Sequence, residues 1–214
     1  CVARRWSDVP LVPVSTGTNN VFPRMVEPTL AGAAAGLVAS GHVDLAAVAQ
    51  PAKVVRIRAP RTEDGIALVD AVLLRDDFVG NRMPFDPARI DRALLTIAAP
   101  ASVGISPIGG LVEPVLREDD AGLLVHCNQG PEDRIVHVPI SPGLYRDVRV
   151  GDAHRIPEGM TVLFEGPGVI ALDGDREIRL DAGETARLVV ERSGPRVIDV
   201  EAALAAAAAG RLFG

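Results

Sequence analysis

Thr16, Thr18, Asn19 and Asn20 crowd around Gly17 in the segment Ser15-Thr16-Gly17-Thr18-Asn19-Asn20. Their hydroxyl and carboxamide groups can hydrogen-bond sugar or phosphate oxygens, and the glycine lets backbone amides come close to a ligand. The same residues would also serve as an ordinary polar turn that caps the following helix. Arg24, just downstream, suits phosphate contact because a guanidinium donates two parallel hydrogen bonds. A solvated surface charge is its alternative. Asp70 stands in the apolar run Ile66-Ala67-Leu68-Val69-Asp70-Ala71-Val72-Leu73-Leu74, where a carboxylate is costly to bury without a partner. Either it accepts hydrogen bonds from ligand hydroxyls, or it pairs with an arginine or faces solvent at a sheet edge. Residues 100–110 are rich in small side chains. Ser102, Gly104, Ser106, Gly109 and Gly110 line a ligand through exposed backbone or form a tight turn between two layers. Asp173-Gly174 reads first as a hairpin turn between twisted antiparallel strands.

These residues need elements to hold them. Pro10-Leu11-Val12-Pro13-Val14 reads as a strand, the Thr/Asn loop follows, and a helix starts near Glu27-Pro28, where proline suits the first turn. Gly41 closes that helix. Gly32 and Gly36 stand four apart among alanines, so one helical face is nearly bare and is expected to lie close against a sheet. Strand order, polar loop and packed helix together are how open α/β sheets build nucleotide sites. Beyond Gln50-Pro51-Ala52 the pattern turns to short strands: residues 53–59, 66–75, 93–98, 122–126, 135–139, 148–150, 161–164, 169–172, 177–180 and 186–191. Breaks containing Gly, Pro or Asp recur between them, as in a β-rich sandwich. The expected organisation is therefore the carboxy-terminal part of a doubly wound α/β domain at 1–50, a β-rich sandwich-like domain at 51–199 and a C-terminal helix at 200–214.

Three segments carry a family resemblance: Ser15-Thr16-Gly17-Thr18-Asn19-Asn20-Val21-Phe22-Pro23, then residues 101–110, then residues 168–177. In this order they resemble the superfamily of NAD kinases, diacylglycerol kinases and sphingosine kinases, and most closely the acetoin-catabolism protein X branch of the ATP-NAD kinase-like proteins. The resemblance implies a doubly wound domain followed by an all-β one, with nucleotide bound in the cleft between them. It implies that Thr16, Gly17, Thr18, Asn19, Asn20, Asp70, Ser102, Gly104 and Ser106 bind nucleotide, with NAD as substrate and ATP and Mg2+ as donor and cofactor. Homodimers or homotetramers are also what it implies.

The sequence departs from that pattern in three ways. NAD kinases organise phosphoryl transfer with a Gly-Gly-Asp-Gly-Thr loop upstream of the strand that corresponds to residues 10–14, and this sequence carries none. Residues 2–6 read as the last turns of a helix, so the catalytic aspartate is expected in a missing amino-terminal segment and no catalytic residue is assigned here. Val69 stands where NAD kinases have asparagine before the acidic residue. No tyrosine occurs in residues 100–110; the single Tyr145 lies far downstream.

Composition narrows the choice of function. The 214 residues are 48% hydrophobic, enough for a sizeable core, but only 3% aromatic, and the formal net charge is -6. Few stacking platforms and an acidic balance argue against nucleic acid as partner. No apolar run is long enough to cross a membrane, and the alanine-rich stretch at 202–209 is too short. Cys1 and Cys127 are read as plain thiols, which fits a cytoplasmic protein. His42, His126, His137 and His154 lack metal-ligand spacing, so no metal site is expected; His126 and His137 are candidates for neighbours on adjacent strands. The expected function is ATP-dependent phosphorylation of NAD or a related nucleotide. The alternatives are a non-catalytic nucleotide-binding regulatory protein linked to acetoin catabolism and a lipid kinase of the same superfamily.

Overall fold

A computed structural model describes residues 2–15, 21–75 and 86–212, with Glu63 and Asp64 described by backbone alone. The chain divides into two compact units, one drawn from residues 1–17, 22–52 and 192–214 and the other from 18–21 and 53–191.

The first unit contains α1 (Val2–Arg5), β1 (Pro10–Leu11), α2 (Pro28–Ala39), α3 (Leu45–Val48) and β2 (Ala49–Pro51), and ends with β14 (Arg196–Ile198) and α5 (Val200–Ala209). β14 pairs in parallel with β1 and antiparallel with β2. That pairing groups residues 192–199, expected with the β-rich domain, with the first unit. Helix α2 starts where expected: the Glu27 side chain accepts from the Leu30 N–H and Pro28 occupies the first turn. It ends at Ala39 with Ser40 as the cap, and Gly41 follows with a φ of 75° that a side chain would resist. Ala34, Ala203 and Ala207 are fully buried between α2 and α5, with Val48, Ala49 and Ile198 completing the core. Among the described residues the glycine face is not the packing face: a Cβ built at Gly32 or Gly36 meets none of their atoms within 4 Å, and Ala31 and Ala34 carry the buried side of the helix.

The second unit is a sandwich. One sheet has the order β10 (Thr161–Glu165), β13 (Thr185–Glu191), β3 (Val54–Ala59), β4 (Thr62–Ala67). The other has the order β12 (Arg176–Leu180), β11 (Gly168–Leu172), β5 (Asp70–Leu74), β6 (Ile90–Leu95), β7 (Ala121–Cys127), β9 (Leu144–Pro157), β8 (Arg134–Ser141). Leu73, Leu94, Leu124, Ile170 and Leu180 of the seven-stranded sheet meet Val55, Ile57, Phe164, Leu188 and Val190 of the four-stranded sheet in one core. The opposite face of the seven-stranded sheet carries Val72, Leu95, Leu123, Val125 and Val150 and is covered by Ala98, Ile108 and Val115, around the short helix α4 (Ser106–Gly110). A sheet buried on both faces explains why β5, β6 and β7 read as near-continuous apolar runs.

The glycines of the two units predict opposite responses to alanine. In Gly32→Ala and Gly36→Ala the new methyl meets open space in a helix interior, and each should raise unfolding stability by about 0.5–1 kcal/mol. A Cβ at Gly110 would lie 2.5 to 2.8 Å from the backbone of Ala99 and Pro100, so Gly110→Ala should lower stability by about 1–3 kcal/mol. Urea denaturation midpoints at fixed pH check both.

Candidate functional site

The strand expected over residues 66–75 is two strands. β4 ends at Ala67, β5 begins at Asp70, and the chain breaks at Leu68 and Val69. Two side chains hold that break. The Asp173 carboxylate accepts from the N–H groups of Leu68 at 2.8 Å and Val69 at 2.8 Å, and more weakly from Asp70 at 3.3 Å. On the other side, the Thr96 hydroxyl donates to the Leu68 carbonyl at 2.7 Å, while the Thr96 N–H donates to the Val69 carbonyl at 2.8 Å. Donors and acceptors of one dipeptide are thus satisfied from two neighbouring loops.

Asp173 can reach because of its turn. Asp173 and Gly174 have φ values of 50° and 71° between β11 and β12, the left-handed backbone of a tight hairpin. The Asp173 N–H donates to the Asp70 carbonyl at 3.1 Å, and Arg176 Nη2 donates to Asp173 Oδ2 at 3.2 Å. The sequence identified the hairpin; the anchoring carboxylate has no sequence signal, since its partners lie about a hundred positions upstream.

Asp70 lies on β5, a strand flanked on both sides by β11 and β6, so it is not at a sheet edge. No side chain among the described residues donates a hydrogen bond to its carboxyl or forms an ion pair with it, so none of their arginines is its partner. Burial pushes the Asp70 carboxyl up, the Asp173 carboxylate adds repulsion, the Asp173 backbone N–H pulls back and Asp175 adds a little more. The net result is a carboxyl pushed up to about 7 from 3.8. Asp173 is itself raised by burial, against the backbone N–H groups and Arg176. A desolvated carboxyl with no cation among the described residues suits a group held for a ligand or for proton transfer.

The register places a second segment on the same face. Asp70 is directly opposite Leu95, and a Cβ built at Gly109 would collide with the side chains of Leu95 and Leu123 at 2.7 and 2.6 Å. Helix α4 therefore rests on the strand next to Asp70, and the loop at residues 99–105 leads into it. Ser106 is buried; its hydroxyl donates to the Ile97 carbonyl at 2.7 Å and accepts from the Ala99 N–H at 2.9 Å. That hydroxyl braces the loop. Ser102 Oγ donates to the Ala99 carbonyl at 2.6 Å. Gly104 has a φ of 106° and its N–H donates to Pro139. The structure thus brings Asp70, Thr96 and Asp173 to one end of the sheet, whereas the 99–110 segment runs across the sheet face, with Gly109 on Leu95 and Leu123 and Gly104 bonded to Pro139 of the edge strand β8. Arg24, in the first unit, has its Nη1 3.9 Å from Asp199 Oδ2 and borders a small cavity of about 160 Å³ with Pro13, Met25, Val26 and Glu201. Thr16, Gly17, Thr18, Asn19 and Asn20 lie outside the described residues.

Among the described residues no group of His, Cys, Asp and Glu is placed to hold a metal ion. No described helix is long and apolar enough to cross a membrane.

Comparison with known proteins gives concordant results. Residues 53–193 match the family model of the acetoin catabolism protein X C-terminal domain. Over 209 residues the chain is 34% identical to acetoin catabolism protein X of Cupriavidus necator, covering 95% of this chain and 58% of that protein. Among solved structures, yeast NADH kinase complexed with NADH superposes with a TM-score of 0.54 at 13% identity, over 96% of this chain and 59% of that one. That likeness shows an NAD kinase-like fold. The chain spans 58% of the length of the curated relative it matches.

The raised carboxyl of Asp70 makes stability depend on pH. Because its folded value of about 7 exceeds the ordinary 3.8, the folded state holds the proton more tightly. The resulting stabilisation is complete below the ordinary value and is lost as pH rises through about 7. Asp70→Asn should match the wild type near pH 4 and exceed it in stability near pH 8, by about a few kcal/mol at most. Urea unfolding at the two pH values measures the difference, and an Asn variant that is equally destabilised at both would remove Asp70 as the source.

Proposed function

We propose, given that the chain belongs to the acetoin catabolism protein X family, that it supplies the acceptor-binding part of an NAD kinase-like phosphotransferase acting on NAD or a related nucleotide. The observation that carries this reading is Asp70. Asp70 is half-buried on a central strand, opposite Leu95 on the face that α4 covers, and its carboxyl has no cation beside it among the described residues. An ionised carboxylate there accepts hydrogen bonds from vicinal ribose hydroxyls, and those bonds replace the water that folding removed. The fold shared with yeast NADH kinase supports a nucleotide as ligand, though it does not identify one.

Positioning is what these residues contribute. Phosphoryl transfer depends on holding the acceptor hydroxyl in line and neutralising charge on the transferred group. Asp173, an anion whose lone pairs serve three backbone N–H groups and Arg176, brings no positive charge to the second task. Mg2+ with ATP would neutralise that charge, and the described residues form no coordination group for it. The family likeness extends the nucleotide-binding role to Thr18, Asn19 and Asn20 in this reading, Arg24 is the phosphate-contact candidate of its own unit, and a cytoplasmic homodimer or homotetramer is the working state.

A second reading has its own support. Val69 in place of asparagine contributes only its backbone, to Asp173 and Thr96, and Ser106 turns its hydroxyl inward. A nucleotide-binding regulatory protein linked to acetoin catabolism needs no more than this.

Calorimetric titration of NAD, NADP and ATP into the full protein, with NADP formation followed in the presence of Mg2+, separates the two. The kinase reading expects NAD binding and NADP formation; the regulatory reading expects binding alone. In either case Asp70→Asn should weaken binding by about tenfold or more. Wild-type affinity should also rise as pH passes through about 7, where the carboxyl ionises, and the variant should lack that rise. Nucleotide binding that is unchanged in Asp70→Asn would overturn the assignment of the site.

A further inference from the structure

His126 and His137 are not on adjacent strands, since β9 lies between β7 and β8. The contact that forms instead is between His126 and His154, whose rings stack at 6.0 Å with an interplanar angle of 18°. Two cross-strand rows explain it. Leu94, Leu124 and His154 form one row, and Arg92, His126 and Asp152 form the next. All six share the face that packs on the four-stranded sheet, so the polar residues begin where the core of Leu94, Leu124 and Phe164 stops.

Arg92 stands at that border. Its Cζ is 6.0 Å from the centroid of the Phe164 ring, and its Nε donates to Asp91 Oδ1 at 2.6 Å. Asp91 is the extra residue of a bulge, because Leu73 pairs with Arg92 while Leu74 pairs with Ile90. Arg75 Nε donates to the other oxygen of Asp91 at 2.7 Å. One carboxylate thus serves two guanidiniums and leaves a positive balance. Burial opposes the charged form of Asp91, but the bonds and charges of Arg92 and Arg75 prevail and hold it below the usual range. The outer nitrogens of Arg92 have no hydrogen-bond partner among the described residues, and neither has the His126 ring. His154 Nδ1 lies 3.0 Å from Asp152 Oδ2, which leaves its Nε2 free of partners among the described residues.

We infer that Arg92, His126 and His154 form a binding site for a phosphoryl group, separate from the Asp70 site and independent of the function proposed for it. The guanidinium offers two parallel donors and each imidazole one more, from three adjacent strands, which suits a tetrahedral oxyanion with several acceptor oxygens. The charges around His126 are consistent with this. Burial lowers its pKa first, Arg92 and His154 lower it further, and Asp152 and Asp91 pull the other way without prevailing. An anion between Arg92 and His126 would relieve that repulsion, so binding takes up a proton.

The test follows the histidine ring signals of the full chain by NMR while inorganic phosphate replaces chloride at constant ionic strength, with His126→Gln and His154→Gln giving the assignments. His126 and His154 should move along one saturating curve, while His42 and His137 stay still, and the His126 midpoint should rise in phosphate by about one pH unit. Arg92→Lys keeps the charge and loses the paired donors, so it should weaken binding by about tenfold. His154→Gln, on an exposed side chain, should weaken binding without loss of the fold. Absence of saturation, an equal response to chloride, or undiminished affinity in Arg92→Lys would each overturn the site.

Discussion

The grip of the Asp173 carboxylate on the Leu68-Val69 dipeptide is the interaction on which the Asp70 corner depends. Three N–H groups converge on it, and Thr96 takes the carbonyls on the other side. Without that grip the run from Ile66 to Leu74 has no reason to break, because Leu68 and Val69 are good strand formers. The break transfers the chain from the four-stranded sheet to the seven-stranded one. It also sets Asp70 at the first position of a central strand, on the face covered by α4. Sandwich connectivity and the unpaired carboxyl are two consequences of one hydrogen-bonded corner.

The same corner shows how two carboxyls can share a small volume. Asp173 is compensated by backbone dipoles and Arg176, whereas Asp70 has only the Asp173 N–H to offset its burial and the neighbouring charge. Charge therefore concentrates on Asp173 and the proton on Asp70. Environments that push two acids apart in this way define separate roles, one structural and one available to a ligand.

What the sequence made legible follows from period and turn chemistry. Strands β5, β6, β7, β11 and β13 were readable because burial on one or both faces leaves an apolar or alternating pattern, and Asp70 stood out for interrupting one. The Asp-Gly hairpin was readable because its backbone needs those residues. The fourteen-residue β9, Leu144–Pro157, was seen only as residues 148–150, since its exposed face carries Tyr145, Asp147, Arg149 and other polar residues. At Gly32 and Gly36 a small residue permits close approach without requiring it, and among the described residues Ala31 and Ala34 take the buried side. Gly109 and Gly110 show the opposite case, where surrounding atoms leave no space for a Cβ. Sequence spacing cannot separate the two cases. Long-range partners such as Asp173 with Leu68, or Asp91 with Arg75 and Arg92, leave no local mark at all.

The boundary between core and polar surface on the seven-stranded sheet explains why charge gathers in one place. The four-stranded sheet covers the rows through Leu94 and Leu124, and Phe164 marks the edge of that cover. The next row is the first to meet water on a face otherwise apolar, so side chains there combine an aliphatic or aromatic body with a polar tip, as Arg92 and His126 do. The bulge at Asp91 removes one residue from the ladder at that row and supplies the carboxylate that orients both guanidiniums. Arg92 is consequently fixed through Nε, directly opposite His126 on the same face of the sheet. A site whose donors are oriented before a ligand arrives loses less entropy on binding than one built from mobile chains, and the bulge provides that orientation within the sheet itself.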